Sequence, residues 1–140
     1  MAACVVLSLA APAAAQAADP TYPAGFRETV AFGGLTFPMD VDFSPDGRVF
    51  VAEKSGKIKF FSGPGDRIPS VFADLSEEVY DFWDRGLMSI ALDPGFPDNP
   101  YVYALYAADL PPGGTPPRWD DDCPSPPGPT DEGCVISGRL

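Results

Sequence analysis

Two matching stretches decide the fold of this chain: VDFSPDGRVFVAE at residues 41–53 and GLMSIALDPGFPDNPYVY at residues 86–103. Each predicts a strand, a proline-containing turn and a second strand. The turn prolines Pro45 and Pro94 are 49 residues apart. A repeat of about 40–50 residues with several strands is typical of β-propeller blades. The chain is therefore predicted to be all-β and to form part of a β-propeller.

The first blade is predicted over residues 39–73, as four antiparallel strands joined by turns rich in glycine and proline. Its strands are expected at 39–43, 48–53, 57–61 and 70–73, with another short strand candidate at 28–32. In the first of them Met39, Val41 and Phe43 alternate with acidic residues and are expected to face one side.

The second blade is predicted to begin at residues 87–92, an almost wholly apolar run that suggests an inner strand buried on both faces. It continues through 101–107 and resumes from Val135 onward. The 140 residues thus hold about one and a half blades, whereas a closed propeller has about four to eight. We expect an N-terminal fragment of a propeller that is poorly stable alone, because it leaves a strand edge and an apolar face uncovered.

Residues 1–18 have the pattern of a signal peptide, with a short apolar run followed by small residues that offer cleavage sites. The missing basic residue at its start indicates a clipped start or translation that begins upstream, and the run is too short to span a bilayer. A buried N-terminal helix is the alternative. Export leaves residues 19–140 as the propeller part, in a secreted or periplasmic location. The net charge of −11 lies in that part and argues against nucleic acid or anionic membrane as a partner.

A proline-rich, acidic loop is predicted at residues 107–134. It contains Cys123 and Cys134, which are expected to form a disulfide in an exported protein. Zinc is the alternative, but the chain has no histidine to complete such a site. Six acids in this loop favour a solvated surface over a calcium site, because the ligand spacing of a known calcium loop is missing.

Propeller topology places the turn at 53–57, the link at 76–86 and the acidic loop on one face, which has the longer and more varied loops. The link contains Tyr80–Gly86, the densest mixture of aromatic and charged residues in the chain. Asp84 and Arg85 are the candidate cofactor or substrate contacts, with a local ion pair as the alternative. Phe82 and Trp83 could stack on a ring, but we expect them to pack between the blades.

Three pieces in order give the chain a family resemblance: LTFP at 35–38, FSPDGRVFVAEKSGKI at 43–58, and the segment from GL at 86–87 through DPGF to NPYVY at 99–103. They resemble the N-terminal part of the glucose/sorbosone dehydrogenase family, which comprises exported, soluble sugar dehydrogenases that use pyrroloquinoline quinone. The resemblance covers roughly residues 26–107 and, more loosely, the cysteine loop to Leu140.

The resemblance implies a six-bladed propeller with the quinone at the channel mouth, held by basic residues and calcium, and a histidine that accepts the substrate proton. The chain has no histidine, so no catalytic residue and no metal ligand is expected in it, and neither cofactor is expected to bind it tightly. The family often has a glutamine just before the Gly-Leu strand, where this chain has Asp84–Arg85. Both residues can still hydrogen-bond a sugar or a quinone carboxylate.

Two functions follow from this. The first is an exported quinone-dependent oxidoreductase that takes a sugar substrate and an electron acceptor, of which this chain is an inactive N-terminal part. The second is a non-catalytic extracellular propeller that binds carbohydrate or protein through the same face, since a fold alone does not fix a function.

Overall fold

The computed structural model describes residues 21–123 and 134–140. Within those residues the chain has seven strands and no helix. The strands are β1 (Pro38–Phe43), β2 (Val49–Glu53), β3 (Lys57–Phe61), β4 (Ser70–Asp74), β5 (Leu87–Leu92), β6 (Val102–Ala108) and β7 (Ser137–Arg139). The segment predicted as a signal peptide, 1–18, lies outside the described residues.

The strands form two antiparallel sheets whose strand order follows the chain. Sheet A has the order β1-β2-β3-β4 and sheet B the order β5-β6-β7. In sheet A, Val51 lies opposite Val41 on one side and Lys59 on the other. Consecutive strands that pair in this way make the up-and-down meander of a propeller blade. The predicted all-β class, the complete first blade and the partial second blade are confirmed.

A tight turn joins β1 to β2. The Gly47 amide donates to the Ser44 carbonyl at 2.9 Å, and Gly47 has a φ of +89°, which glycine adopts without steric cost. Asp46 and Arg48 form an ion pair of 2.6 Å across the turn. The Arg48 guanidinium also lies 4.9 Å from the centre of the Phe96 ring, in the β5–β6 turn. The β1–β2 and β5–β6 turns therefore share one end of the two sheets.

The main core lies between the two sheets. Its buried residues include Phe50 and Ile58 of sheet A with Leu87, Ile90 and Tyr106 of sheet B. Burial of each large apolar side chain contributes about 1.5–3 kcal/mol. This contact sets one blade face to face with the next.

A smaller core lies on the other face of sheet A, where Val49, Val51 and Phe61 pack against Phe32 and Leu35. The segment 28–32 that carries Phe32 forms no strand, so that strand prediction is wrong. The Phe32 ring packs 4.5 Å from that of Phe61, and the Arg67 guanidinium binds the carbonyls of residues 30 and 31. The segment therefore lies across the sheet face rather than along a strand edge.

Strand β5 is buried on one face only, so the prediction of burial on both faces is also wrong. Leu87 and Ile90 are buried against sheet A, whereas Met88 and Ala91 are exposed. In β6, Tyr103 and Leu105 are exposed on the same outer side, and β1 exposes Met39, Val41 and Phe43 as one row. Sheet B thus keeps an apolar face in solvent, whereas sheet A leaves the β1 row exposed beside its smaller core.

Across residues 21–123 and 134–140, no helix is long and apolar enough to cross a membrane.

Candidate functional site

Three loops meet at the end of the sheets opposite the Gly47 turn. They are the β2–β3 turn at 54–56, the link between the sheets at 75–86, and the described parts of the insertion at 109–123 and 134–136. We call this the loop end. The Leu87 amide donates to the Lys54 carbonyl at 2.9 Å, and the Lys54 ammonium donates to the Asp81 carbonyl. The predicted placement of these loops on one face is confirmed.

Glycine is required where the link enters β5. Gly86 has a φ of +137°, and a Cβ on it would lie 2.5 Å from the Lys54 carbonyl oxygen. That close approach lets the next amide, of Leu87, reach the same oxygen. Gly86 therefore sets how closely the β2–β3 turn approaches the start of the second blade.

The insertion is anchored by a buried carboxylate. Asp109 is 1% exposed, and its oxygens accept the amides of Arg118, Trp119 and Asp120 at 2.8–3.0 Å. Each hydrogen bond from an amide to a carboxylate is roughly twice as strong as one between neutral groups. Because Asp109 follows β6 directly, it fixes the first part of the insertion to the sheet.

Several hydrogen bonds tie the link to the insertion, and two of them involve neighbouring residues of each. The Asp81 amide donates to a carboxylate oxygen of Asp121 at 2.8 Å, and the Tyr80 hydroxyl donates to the Asp122 carbonyl at 3.3 Å. Burial, followed by the neighbouring acids including Asp81 and Asp109, raises the pKa of Asp121. The loop end thus concentrates carboxylates.

The predicted disulfide is present: Cys123 and Cys134 are bonded, with Cα atoms 5.8 Å apart. The Arg85 guanidinium donates to the Cys134 carbonyl at 3.1 Å and lies 5.4 Å from the centre of the Tyr80 ring. In the described residues Arg85 therefore holds the link against the disulfide. Residues 124–133 of the acidic loop, including Asp131 and Glu132, lie outside the described part of the chain.

The two aromatic residues of the link differ from one another. Phe82 is half-buried, whereas Trp83 is 82% exposed and has a φ of +58°. Their rings are stacked at 6.2 Å between centres. The prediction that both aromatics pack between the blades is wrong for Trp83, because the left-handed backbone at that residue turns the indole outward into solvent.

Asp84 is exposed between Trp83 and Arg85. Asp84 is thus adjacent in the chain to an exposed indole, and the ion pairs of the described residues do not join Asp84 to Arg85. An ionised carboxylate next to an aromatic ring can accept hydroxyl hydrogens while the ring covers an apolar face. Such a pair suits a polyhydroxylated ring.

Over the described ranges, no three histidine, cysteine, aspartate or glutamate side chains are grouped so that they could hold a metal ion. Two cations of the loop end are engaged with carbonyl oxygens, Lys54 with that of Asp81 and Arg85 with that of Cys134. A third, Arg118, has its guanidinium 4.5 Å from the centre of the Trp119 ring.

Sequence reasoning did not single out Lys54, Asp109 or Asp121 as organisers of the loop end. Asp109 had one available signal, since it is an acid that directly follows an apolar strand and precedes a proline-rich insertion. Lys54 and Asp121 act on residues 27 and 40 positions away, and no local pattern reveals such pairs.

Two antiparallel meanders packed face to face define a partial β-propeller, and comparison with known proteins places it in a family. The family model described as glucose/sorbosone dehydrogenase matches residues 35–115. Because this match covers more than half of the chain, the chain belongs to the glucose/sorbosone dehydrogenase family.

Two solved structures are similar to this chain. One is the PQQ-bound form of an aldose sugar dehydrogenase from Streptomyces coelicolor, with 19% identity and a TM-score of 0.53 over 59% of this chain and 25% of that one. The other is an oxidoreductase described as a glucose dehydrogenase from Thermus thermophilus, with 38% identity and a TM-score of 0.49 over 59% of this chain and 23% of that one. The first likeness supports the propeller fold. This chain spans about a quarter of each solved chain. None of the curated proteins compared with it matches significantly.

Proposed function

We propose that this chain is the N-terminal part of an exported, quinone-dependent oxidoreductase that oxidises an aldose or a related sugar. The observation that carries the proposal is the family match over residues 35–115. The disulfide between Cys123 and Cys134 supports an oxidising, non-cytosolic location. A sugar substrate and an electron acceptor are the partners that this function requires.

Within this function, Asp84 and Trp83 are the residues that contact the sugar. Asp84 is exposed and offers two oxygens to substrate hydroxyls, and the exposed Trp83 indole offers a flat apolar surface beside it. Arg85, which sequence reasoning placed among the contacts, has its guanidinium on the Cys134 carbonyl and over Tyr80. We assign it the role of a positioning residue that holds Asp84 and Trp83 in place.

The described residues do not by themselves fit the quinone or calcium. A quinone with several carboxylates needs cations, but Lys54 and Arg85 are engaged with carbonyl oxygens, Arg118 lies over the Trp119 ring, and most of the other charged side chains are acidic. Calcium needs several clustered oxygen ligands, and none of the described acids form such a group. Both cofactors would take their ligands from residues other than those described.

The family resemblance implies a histidine as the proton acceptor, and this chain has no histidine. We therefore expect sugar contact at the loop end without turnover. Purified residues 19–140 supplied with pyrroloquinoline quinone, calcium, an aldose and a redox dye should reduce no dye. Dye reduction above the rate without protein would contradict that expectation.

Sugar contact can be measured through tryptophan fluorescence, because the chain has two tryptophans. The Trp119→Phe variant leaves Trp83 as its one tryptophan and is titrated with glucose. We expect a saturable change in emission with a Kd on the order of 1 mM, since an open face buries little surface. The Trp83→Phe variant, which reports through Trp119, should show no such change.

Asp84→Asn should weaken this binding about tenfold or more, because a hydrogen bond to a charged acceptor contributes about 1.5–3 kcal/mol. Asp98→Asn is the matched control, since Asp98 is also exposed but lies in the β5–β6 turn at the opposite end. An unchanged Kd in Asp84→Asn, or an equal loss in Asp98→Asn, would exclude Asp84 as a contact.

The non-catalytic alternative, a carbohydrate-binding propeller, uses the same two side chains. It is distinguished by the longer protein: dye-linked turnover of an aldose that is lost on removal of the quinone supports the enzyme, and binding without turnover supports the alternative.

A further inference from the structure

Two aspartates of β1 reach across to the first strand of the second blade. One carboxylate oxygen of Asp40 accepts the Ile90 amide at 2.9 Å and the Ser89 hydroxyl at 2.7 Å. The corresponding oxygen of Asp42 accepts the Leu92 amide at 2.8 Å. These are side chain to backbone bonds between sheets, spanning 50 residues of the chain.

The second oxygen of each carboxylate stays on its own strand. Asp40 accepts the Val41 amide at 2.9 Å, and Asp42 accepts the Phe43 amide at 2.7 Å. Each carboxylate therefore binds one amide of β1 and one of β5. The spacing is two residues on both strands, which is the repeat at which amides of a strand point to the same side.

The amides bound in this way belong to an edge strand of each sheet. β1 pairs only with β2, and β5 pairs only with β6, so one edge of each strand has no neighbouring strand in the described structure. An open edge with unsatisfied amides is a template for pairing with another chain. Here the edge amides of Val41, Phe43, Ile90 and Leu92 are all occupied by carboxylate oxygens.

We propose that Asp40 and Asp42 form a carboxylate ladder that docks one blade on the next in a single register and closes both strand edges to strand addition. Packing between the sheets is non-directional and tolerates sliding, whereas two carboxylates with a fixed spacing accept only the amides that match them. The ladder thus specifies which residues of β5 lie beside β1. The apolar core supplies the attraction and the ladder supplies the alignment.

A carboxylate is suited to this role because it is an acceptor only and has two oxygens, so that one oxygen can bind an amide of β1 while the other binds an amide of β5. Burial raises the pKa of Asp40, but the hydrogen bonds from Ser89, Ile90 and Val41 outweigh that effect and hold it below its usual value. Asp40 is therefore ionised at neutral pH. An amide or hydroxyl side chain at the same position would offer a single oxygen to both strands.

The ladder is tested by amide hydrogen exchange of the 140-residue chain, measured residue by residue by NMR. In Asp42→Asn, the amides of Phe43 and Leu92 should exchange at least tenfold faster than in the unsubstituted chain. Those of Val41 and Ile90, bound by Asp40, should change far less, and the Val51 amide in the middle of sheet A reports any global loss of stability.

The single substitution also separates a local effect from unfolding. Equal acceleration of all five amides would mean that Asp42 merely stabilises the fold, and unchanged exchange at Leu92 would mean that its carboxylate does not hold β5; either result overturns the proposal.

Edge closure is tested by self-association. The double variant Asp40→Ala/Asp42→Ala should form larger species by size-exclusion chromatography with light scattering, at concentrations where the control does not. The control is Glu77→Ala/Asp98→Ala, which also removes two negative charges, but from exposed positions outside both strand edges. Equal self-association of the two double variants would refute edge closure, because charge loss alone would then account for it.

Discussion

Gly86→Ala is the sharpest test of how the second blade is attached to the first. A Cβ at this position would lie 2.5 Å from the Lys54 carbonyl oxygen and 2.8 Å from the Lys54 Cγ. The carbonyl belongs to the backbone and also accepts the Leu87 amide at 2.9 Å. The substitution must therefore move either the β2–β3 turn or the start of β5.

The expected loss of stability in Gly86→Ala has two parts. A non-glycine residue at a φ of +137° costs about 1–3 kcal/mol. Weakening the Leu87–Lys54 hydrogen bond costs about 1 kcal/mol more. The free energy of unfolding should thus fall by about 2–4 kcal/mol, which lowers the urea midpoint by about 1–2 M when the slope is about 2 kcal/mol per M.

Gly47→Ala is the matched control. Gly47 also has a positive φ, +89°, but a Cβ on it would meet nothing within 4 Å. The free energy of unfolding of Gly47→Ala should therefore fall only by the cost of a left-handed backbone at a non-glycine residue, about 1–2 kcal/mol. Urea unfolding followed by circular dichroism gives both midpoints. If Gly86→Ala is no more destabilising than Gly47→Ala, the close approach of Gly86 to Lys54 does not hold the blades together and the reasoning fails.

Three further predictions concern the insertion and the ladder. Asp109→Asn should destabilise the chain by about 2–3 kcal/mol and speed amide exchange at 118–120, because the buried carboxylate receives those amides; unchanged exchange there would contradict the anchoring role. For Asp40, whose pKa is lowered, the stabilisation is present above the unfolded value near 3.9 and is lost as pH falls through the folded value. The urea midpoint of Asp40→Asn should accordingly decline less steeply below about pH 4 than that of the unsubstituted chain. Equal declines in the two proteins would contradict this prediction. Replacing Cys123 and Cys134 by serine should cost about 3 kcal/mol, from the entropy of a loop with a sequence separation of 11 residues, and an unchanged midpoint under oxidising conditions would refute this.

The strands of the first blade were predictable because their signals are local. Alternation at 39–43 and the turn residues Pro45 and Gly47 fix two strands and their connection, and the observed bounds differ from the predicted ones by a residue at most. The segment 28–32 also contains strand-forming residues but forms no strand, because it packs on a face of the sheet and not along an edge.

The candidate site was predictable in position but not in detail. Loop topology correctly brought the link and the insertion together. The exposure of Trp83 depends on its left-handed backbone, and the role of Arg85 depends on a carbonyl 49 residues away. Neither leaves a periodic signal in the sequence.

The disulfide has a consequence for the evolution of the loop end. The disulfide joins Cys123 to Cys134 within the insertion, and Asp109 fixes the first part of the insertion to the sheet. The sequence enclosed by the cysteines can therefore change in length and composition while its two ends stay in register with the blade. A foreign peptide can be grafted between the two cysteines, because the disulfide keeps the ends of that segment together and leaves both sheets unchanged.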